Sequence, residues 1–388
     1  MIPKGYKHTE LGILPSDWQV VRLGEIGKIV GGGTPSTKKK EFWKGAIPWI
    51  SSSDIDENDV FNISQTRYIT QDAIDKSSTK SIEPNSILVV SRVGIGKVAI
   101  NQNVLCTSQD IQALTQHNQD AFFLVYAIKN LVSLVCRINQ GTSIKGFTKE
   151  VLSNLQVPLP PLAEQEKIAE ILSTWDRQIQ NLQSLITEKQ NLKKALCQTL
   201  LTAKTRFKGF SEEWQVVRLG EILKYEQPTQ YLVSDTQYDN SYEIPVLTAG
   251  KTFVLGYTNE KVGIYTNVPI ILFDDFTTAS QYVDFPFKIK SSACKILKLK
   301  KKEFNLKIIF EIMQRLDFVA EDHKRYWISE YQNQEIFLPN AKEQEKIAEI
   351  LSEADNEITL LEQKLESLKS QKKGLMQNLL NGKVRVKI

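Results

Sequence analysis

Glu164-Gln165-Glu166-Lys167-Ile168-Ala169-Glu170-Ile171-Leu172 occurs twice in this 388-residue chain, returning unchanged at positions 343–351. Each copy opens a long stretch without proline. In the second, apolar residues fall at Ile347, Leu351, Ala354, Ile358, Leu361, Leu365, Leu368, Leu375 and Leu379, in alternating steps of four and three broken by Lys372. That is the seam of helices that pack in pairs. The first copy keeps this register through Ile168, Leu172, Trp175, Ile179, Leu182 and Ile186, is interrupted by Lys189 and Lys193, and resumes at Leu196 and Leu200. The spacing predicts helices over 162–203 and 342–381. Pro158, Pro160 and Pro161 precede the first and Pro339 the second, as suits an extended lead-in, because proline is tolerated at a helix start and not inside. A single stripe of this kind is usually a core face or a homodimer zipper. Two matched seams in one polypeptide can bury each other, as a parallel or antiparallel pair.

A second phrase, Trp18-Gln19-Val20-Val21-Arg22-Leu23-Gly24-Glu25-Ile26, recurs at 214–222, 196 residues on, whereas the helix phrase recurs after 179. The second half is therefore 17 residues shorter than the first between the two phrases. Solenoid repeats keep short and nearly constant periods, so unequal periods favour a duplicated scaffold with a replaceable block in each half. The blocks, about 27–159 and 223–338, share almost no sequence. Both carry strand runs, Ile87-Leu88-Val89-Val90 in one and Ile270-Ile271-Leu272-Phe273 in the other, and a late helical segment at 121–136 or 306–318. Each is large enough for its own core.

With 41% hydrophobic and 24% charged residues the composition is that of a globular protein. No apolar run is long enough to span a bilayer and the first residues lack a secretory apolar core, so no membrane association and a cytoplasmic location are expected. Cys106, Cys136, Cys197 and Cys294 are scattered, without CxxC spacing, and are expected to be buried thiols. A net charge of +4 permits nucleic-acid binding through local patches without demanding it.

Catalytic signatures are missing. His8, His117 and His323 share no metal-ligand spacing. Gly94-Ile95-Gly96-Lys97 lacks the glycine and hydroxyl residue of a phosphate loop, with Ser91 and Val98 in those places. Glu362-Gln363-Lys364 reads as charge dressing on a helix. What the blocks do offer is hydrogen-bonding and cationic side chains on glycine-bearing loops, suited to phosphates and base edges. In block one these are Lys39, Arg92 and Lys97, then Gln140, Thr142, Ser143 and Lys145; in block two they are Thr277, Thr278, Ser280 and Gln281, then Lys324, Arg325 and Tyr326. Lys145 and Lys324 both lie 19 residues before the repeated Glu-Gln-Glu-Lys.

The order of Trp phrase, variable block, Pro158-Leu159-Pro160-Pro161-Leu162-Ala163 leading into the helix phrase, and then all of it again, resembles the specificity subunit of type I restriction-modification systems over essentially the full chain. The resemblance implies an α/β (α+β) fold with two target-recognition domains, 1–157 and 206–338, joined by the helices of 158–205 and 339–388 as a long antiparallel two-helix coiled coil with an internal pseudo-twofold repeat. It implies that each domain reads one half of a split double-stranded DNA site while the helices set the spacing. It further implies that two methyltransferase subunits dock on the helices, around Gln165, Glu166, Gln344 and Glu345, and that restriction subunits join the complex. The chain itself would bind no metal or cofactor, since S-adenosylmethionine, ATP and Mg belong to the partners. Two other readings stay open: a self-contained nuclease or methyltransferase with an unrecognised site, and a bipartite DNA-binding regulator acting alone.

Overall fold

Each Trp phrase runs as a strand beside the strand that leads into the long helix. Gln19–Arg22 pairs antiparallel with Gln156–Leu159, and Gln215–Arg218 with Glu335–Leu338, with Gln19 opposite Leu159 and Gln215 opposite Leu338. Start and end of each block are thereby clamped together in one register, whatever length of chain lies between. The Arg-Leu-Gly-Glu of the phrase then makes a single helical turn, Leu23–Ile26 or Leu219–Ile222. Its glutamate reaches back to accept from the Arg22 or Arg218 amide, at 3.2 and 3.3 Å, which satisfies one of the free donors of a helix start. Gly24 is required by close approach: a Cβ there would sit 2.0 Å from the Ser153 hydroxyl.

The computed structural model describes residues 2–138, 146, 148–320 and 324–388. The chain divides into two compact units, Met1–Gln183 with Gln363–Ile388, and Ser184–Glu362. Each unit holds one block with part of both long helices, so this division cuts through the helical segments that the sequence separates as 158–205 and 339–388.

The first unit holds an antiparallel sheet in the order Lys28–Gly31, Ile111–Thr115, Ile87–Val90, Val98–Ile100. A second sheet runs Tyr68–Ile69, Ile47–Ile50, Leu105–Thr107, Ser81–Ile82, with its two central strands parallel. The second unit repeats the plan with unrelated residues. Leu223–Glu226, Cys294–Leu299, Ile270–Asp274 and Ser280–Val283 form the antiparallel sheet, and Val254–Thr258, Ile244–Leu247 and Lys288–Ile289 the other, in which the central Ile244–Leu247 pairs parallel with the edge strand Lys288–Ile289. Strands Ile87–Val90 and Ile270–Asp274 are buried on both faces, as their unbroken apolar runs demand. The block helices are Ala121–Ile138 and Leu306–Met313.

Leu162–Leu200 and Ala341–Leu380 are the long helices, of 39 and 40 residues, about 58 and 60 Å at 1.5 Å per residue. In the first unit Lys372 pairs with Asp176, and in the second Lys193 pairs with Asp355 and Lys189 with Glu357. Glu164 pairs with Arg385 in the first unit as well, so within each unit partner numbers rise on one side as they fall on the other and the helices run antiparallel. Ile168, Leu172, Ile179 and Leu182 are buried in the first unit, and Ile186, Ile347, Leu351 and Ile358 in the second. The lysines that interrupt the apolar run, Lys189, Lys193 and Lys372, are the cations of these ion pairs; the breaks in the seam are charged layers. Leu185 and Leu192 remain exposed. Cys106, Cys197 and Cys294 are buried as expected, whereas Cys136 is only half-buried.

Candidate nucleic-acid interface

The hairpin turn of each antiparallel sheet is anchored by the same backbone bond. In the first unit Ser91, just past strand Ile87–Val90, donates its amide to the Asp110 carbonyl at 2.7 Å; in the second Asp275, just past Ile270–Asp274, donates to Ala293 at 3.0 Å. The turns that follow, 91–97 and 275–279, therefore occupy matching places despite having no residue in common.

In the first unit Gly146 closes against this turn, with a φ of +103° and space for a Cβ only 2.4 Å from the Ser91 carbonyl oxygen. A left-handed backbone and that approach both require glycine. Arg92 is exposed on the turn. Lys97, expected to face DNA, instead turns its ammonium onto the carbonyls of Ser52 and Ile55, at 3.2 and 2.9 Å, and ties the turn to the 51–55 segment. Gln140, Thr142, Ser143 and Lys145 lie outside the described residues. Lys39 is exposed beside the other sheet, its ammonium 4.8 Å over the Phe42 ring.

In the second unit Asp275 organises the site. Its carbonyl accepts from the Tyr326 amide at 2.8 Å, its Oδ1 accepts from the Trp327 amide at 2.9 Å, and its Oδ2 lies 3.4 Å from the Lys295 ammonium. Asp275 and Lys295 are each 1% exposed. One buried carboxylate thus brings the 324–327 segment against the 275–279 turn. Asp274 shapes the turn itself, accepting from the amides of Phe276 and Thr277, both at 2.9 Å. Thr278 follows in a left-handed conformation, φ +59°.

Thr277, Lys324 and Arg325 are exposed and Thr278 and Gln281 half-buried, with Lys324 paired to Glu330 at 2.6 Å. Two expected contact residues point inward. The Ser280 hydroxyl accepts from Gln314 Nε2 at 2.7 Å, and Tyr326, 1% exposed, packs edge-on against Phe318. Their alternation with polar neighbours in sequence concealed which face each presents.

Gln165 and Gln344, expected to meet partner subunits, are also interior, each 1% exposed. Each donates to the carbonyl of the proline before its helix, Pro160 or Pro339, at 2.8 Å, and accepts from the amide that opens its block helix, Asp120 or Asn305. Glu166 and Glu345 are exposed. Sequence reasoning missed Arg206 and Arg385, which bind the buried Glu343 and Glu164. The signal was present, since the two arginines are themselves 179 residues apart.

Among the described residues no group of three or more His, Cys, Asp or Glu converges as a metal site would, and no helix is long and apolar enough to cross a membrane.

Comparison with known proteins bears on this geometry. The family described as "Type I restriction modification DNA specificity domain" matches residues 15–191 and again 211–370. The EcoR124I/EcoR124II specificity subunit of Escherichia coli is 50% identical over 150 residues, 37% of each chain. The MjaIX specificity subunit of Methanocaldococcus jannaschii is 31% identical over 61% of this chain and 58% of its own. The MjaVIII specificity subunit of the same organism is 25% identical over 96% of this chain and 94% of its own. The chain thus spans about a third to three-fifths of the first two relatives and nearly all of the third. A solved type I restriction-modification S subunit from M. genitalium shares the fold, with a TM-score of 0.61 at 18% identity over 94% of this chain and 96% of that one. With both matched segments covering one block and its following helix, the chain belongs to the type I restriction-modification DNA specificity family.

Proposed function

We propose that the chain is the non-catalytic specificity subunit of a cytoplasmic type I restriction-modification complex. Each unit reads one half of a split double-stranded DNA site through its 91–97 or 275–279 turn and the segment closing against it. The observation that carries this is the repeated loop junction: two unlike blocks present polar turns from the same place on the same scaffold. Shared placement with divergent side chains is what two readers of different sequences need, because position can be common while base-edge contacts must differ.

The paired helices act as the spacer. At about 58–60 Å they are long enough for half-sites about one DNA turn, roughly 34–36 Å, apart. Joining two weak readers raises the effective concentration of the second once the first has bound. Methyltransferase subunits, two per chain, dock on the helices near Glu166 and Glu345 and bring S-adenosylmethionine; restriction subunits bring the ATP- and Mg-dependent chemistry. Adenine must leave the stack to be methylated, so DNA distortion belongs to the assembled complex.

Methylome sequencing of cells carrying this chain with its methyltransferase is the test. A single split motif, absent when the chain is deleted, is expected. Methylation or cleavage by the purified chain alone, given S-adenosylmethionine and Mg, would contradict the reading.

A further inference from the structure

The block helix of each unit is held at two corresponding points. In the second unit Asn305, which caps helix Leu306–Met313, donates its amide to Gln344 Oε1 at 2.8 Å. Glu311, 5% exposed, meets the Lys193 ammonium at 3.0 Å. Lys193 also reaches Asp355 at 2.6 Å, and Lys307 bridges Glu311 at 3.0 Å and Asp355 at 2.7 Å. In the first unit Asp120, just before helix Ala121–Ile138, donates its amide to Gln165 Oε1 at 3.1 Å. The Tyr126 hydroxyl donates to Asp176 Oδ2 at 2.5 Å; Lys372 pairs with the same carboxylate and sits 5.1 Å over the Tyr126 ring.

Glu311 and Tyr126 are both the sixth residue of their helices. Gln165 and Gln344, Asp176 and Asp355, and Lys193 and Lys372 are repeat mates, each 179 apart. The scaffold therefore offers one socket twice; both blocks fill its first point with a backbone amide and its second with unlike side chains.

We propose that the second point, Glu311 in one unit and Tyr126 in the other, is an angular stop that sets the length of the unread DNA spacer. Both are positioning residues for spacing and leave the half-site sequences alone. The inference rests on the DNA-reading function proposed above. Beyond the apolar core that block helix and long helix share, the glutamine fixes one polar point and the stop a second, six residues further from the cap, about 9 Å of helix; two points fix a direction where one does not. Rotation away from the stop would part the nearly buried Glu311 from Lys193, leaving it only Lys307 of its own helix, and would take the Tyr126 hydroxyl from the Asp176 carboxylate; losing a partner at a buried carboxylate is costly. A compact domain of about 100 residues has a radius of gyration of about 13 Å, hence a diameter of about 34 Å. A swing of about 6° moves its far edge by about 3.4 Å, one base-pair step.

Methylomes of strains carrying the parent chain, Glu311→Ala or Tyr126→Phe, each with the methyltransferase, test this. The half-sites should stay the same while methylation at spacers one base pair longer or shorter rises about tenfold, equivalent to about 1.4 kcal/mol. An unchanged single spacer in both variants overturns the inference, whether occupancy holds or falls uniformly, because a merely structural role gives that result. If Glu311→Ala does not accumulate, Tyr126→Phe, which loses one hydroxyl and keeps its ring, decides alone. A parent strain without any split motif would instead refute the functional reading, so the two failures are distinguishable.

Discussion

Arg385 grips the fully buried Glu164 with two charge-assisted hydrogen bonds, Nε to Oε1 at 2.7 Å and Nη2 to Oε2 at 2.8 Å, and also holds Asp17 at 2.8 and 3.0 Å. Arg206 grips Glu343 through the same atoms at 2.9 and 2.7 Å. An arginine five or six residues beyond the end of each long helix thus closes onto the first turn of the other, within one unit in each case. Trp18 adds an Nε1 donor to Glu164 at 3.0 Å.

Arg385→Ala should therefore destabilise the first unit, by about 2 kcal/mol. Removing one partner of a buried ion pair costs more than the pair contributes, and the part-exposed guanidinium discounts the figure. A lowered denaturant midpoint with unchanged slope is the expected result. Arg385 also holds the Asp17 carboxyl below its ordinary 3.8 by hydrogen bonding. A carboxylate depressed in the folded state stabilises above its unfolded pKa and loses that contribution as pH falls through the folded value. The gap between parent and variant should therefore narrow below about pH 4.

The long helices were legible because their seam repeats every three or four residues over ten turns, and the duplication because two phrases recur verbatim. The three seam lysines were visible only as interruptions; that each finds a carboxylate on the other helix requires the antiparallel pairing. The candidate surface was half legible. Arg92 and Thr277 are exposed on the turns and Arg325 on the segment closing against one of them, but Ser280 opens a strand and Tyr326 a helical turn, and the face each shows is set by tertiary contacts, to Gln314 and to Phe318. The Asp275–Lys295 pair could not be found from sequence, because a buried ion pair has no periodicity.

Asp275→Asn should leave the Trp327 amide an acceptor while depriving the Lys295 ammonium, 1% exposed, of its countercharge. Stranding one buried ion costs about 3 kcal/mol. Thermal unfolding should show the loss in the second unit, and DNA binding should weaken at only one half-site. Equal weakening at both halves would place the effect elsewhere.

Arg92→Ala and Arg325→Ala separate phosphate from base contacts. A lost phosphate contact lowers affinity for every sequence and reduces the salt slope by about 0.9; a lost base contact relaxes one position at a cost of about 1–3 kcal/mol. Binding titrations over a salt series, with each half-site mutated in turn, give the answer. An arginine that changes neither lies outside the interface.

Burial pushes the thiols of Cys106, Cys197 and Cys294 up to about 11, with Glu311 adding to the effect at Cys197. Their thiolate fraction at pH 8 is correspondingly small. A disulfide reagent at that pH should modify Cys136 first, and the other three only on unfolding. Rapid modification of all four in the folded protein would contradict the packing described.

The paired helices are proposed to measure the distance between two DNA readers. Inserting one helical turn into both, after Gln183 and after Glu362, adds about 5.4 Å. Methylome sequencing should then show both half-sites unchanged and the spacer longer by one or two base pairs. An unaltered spacer in a folded, methylating variant would contradict the account.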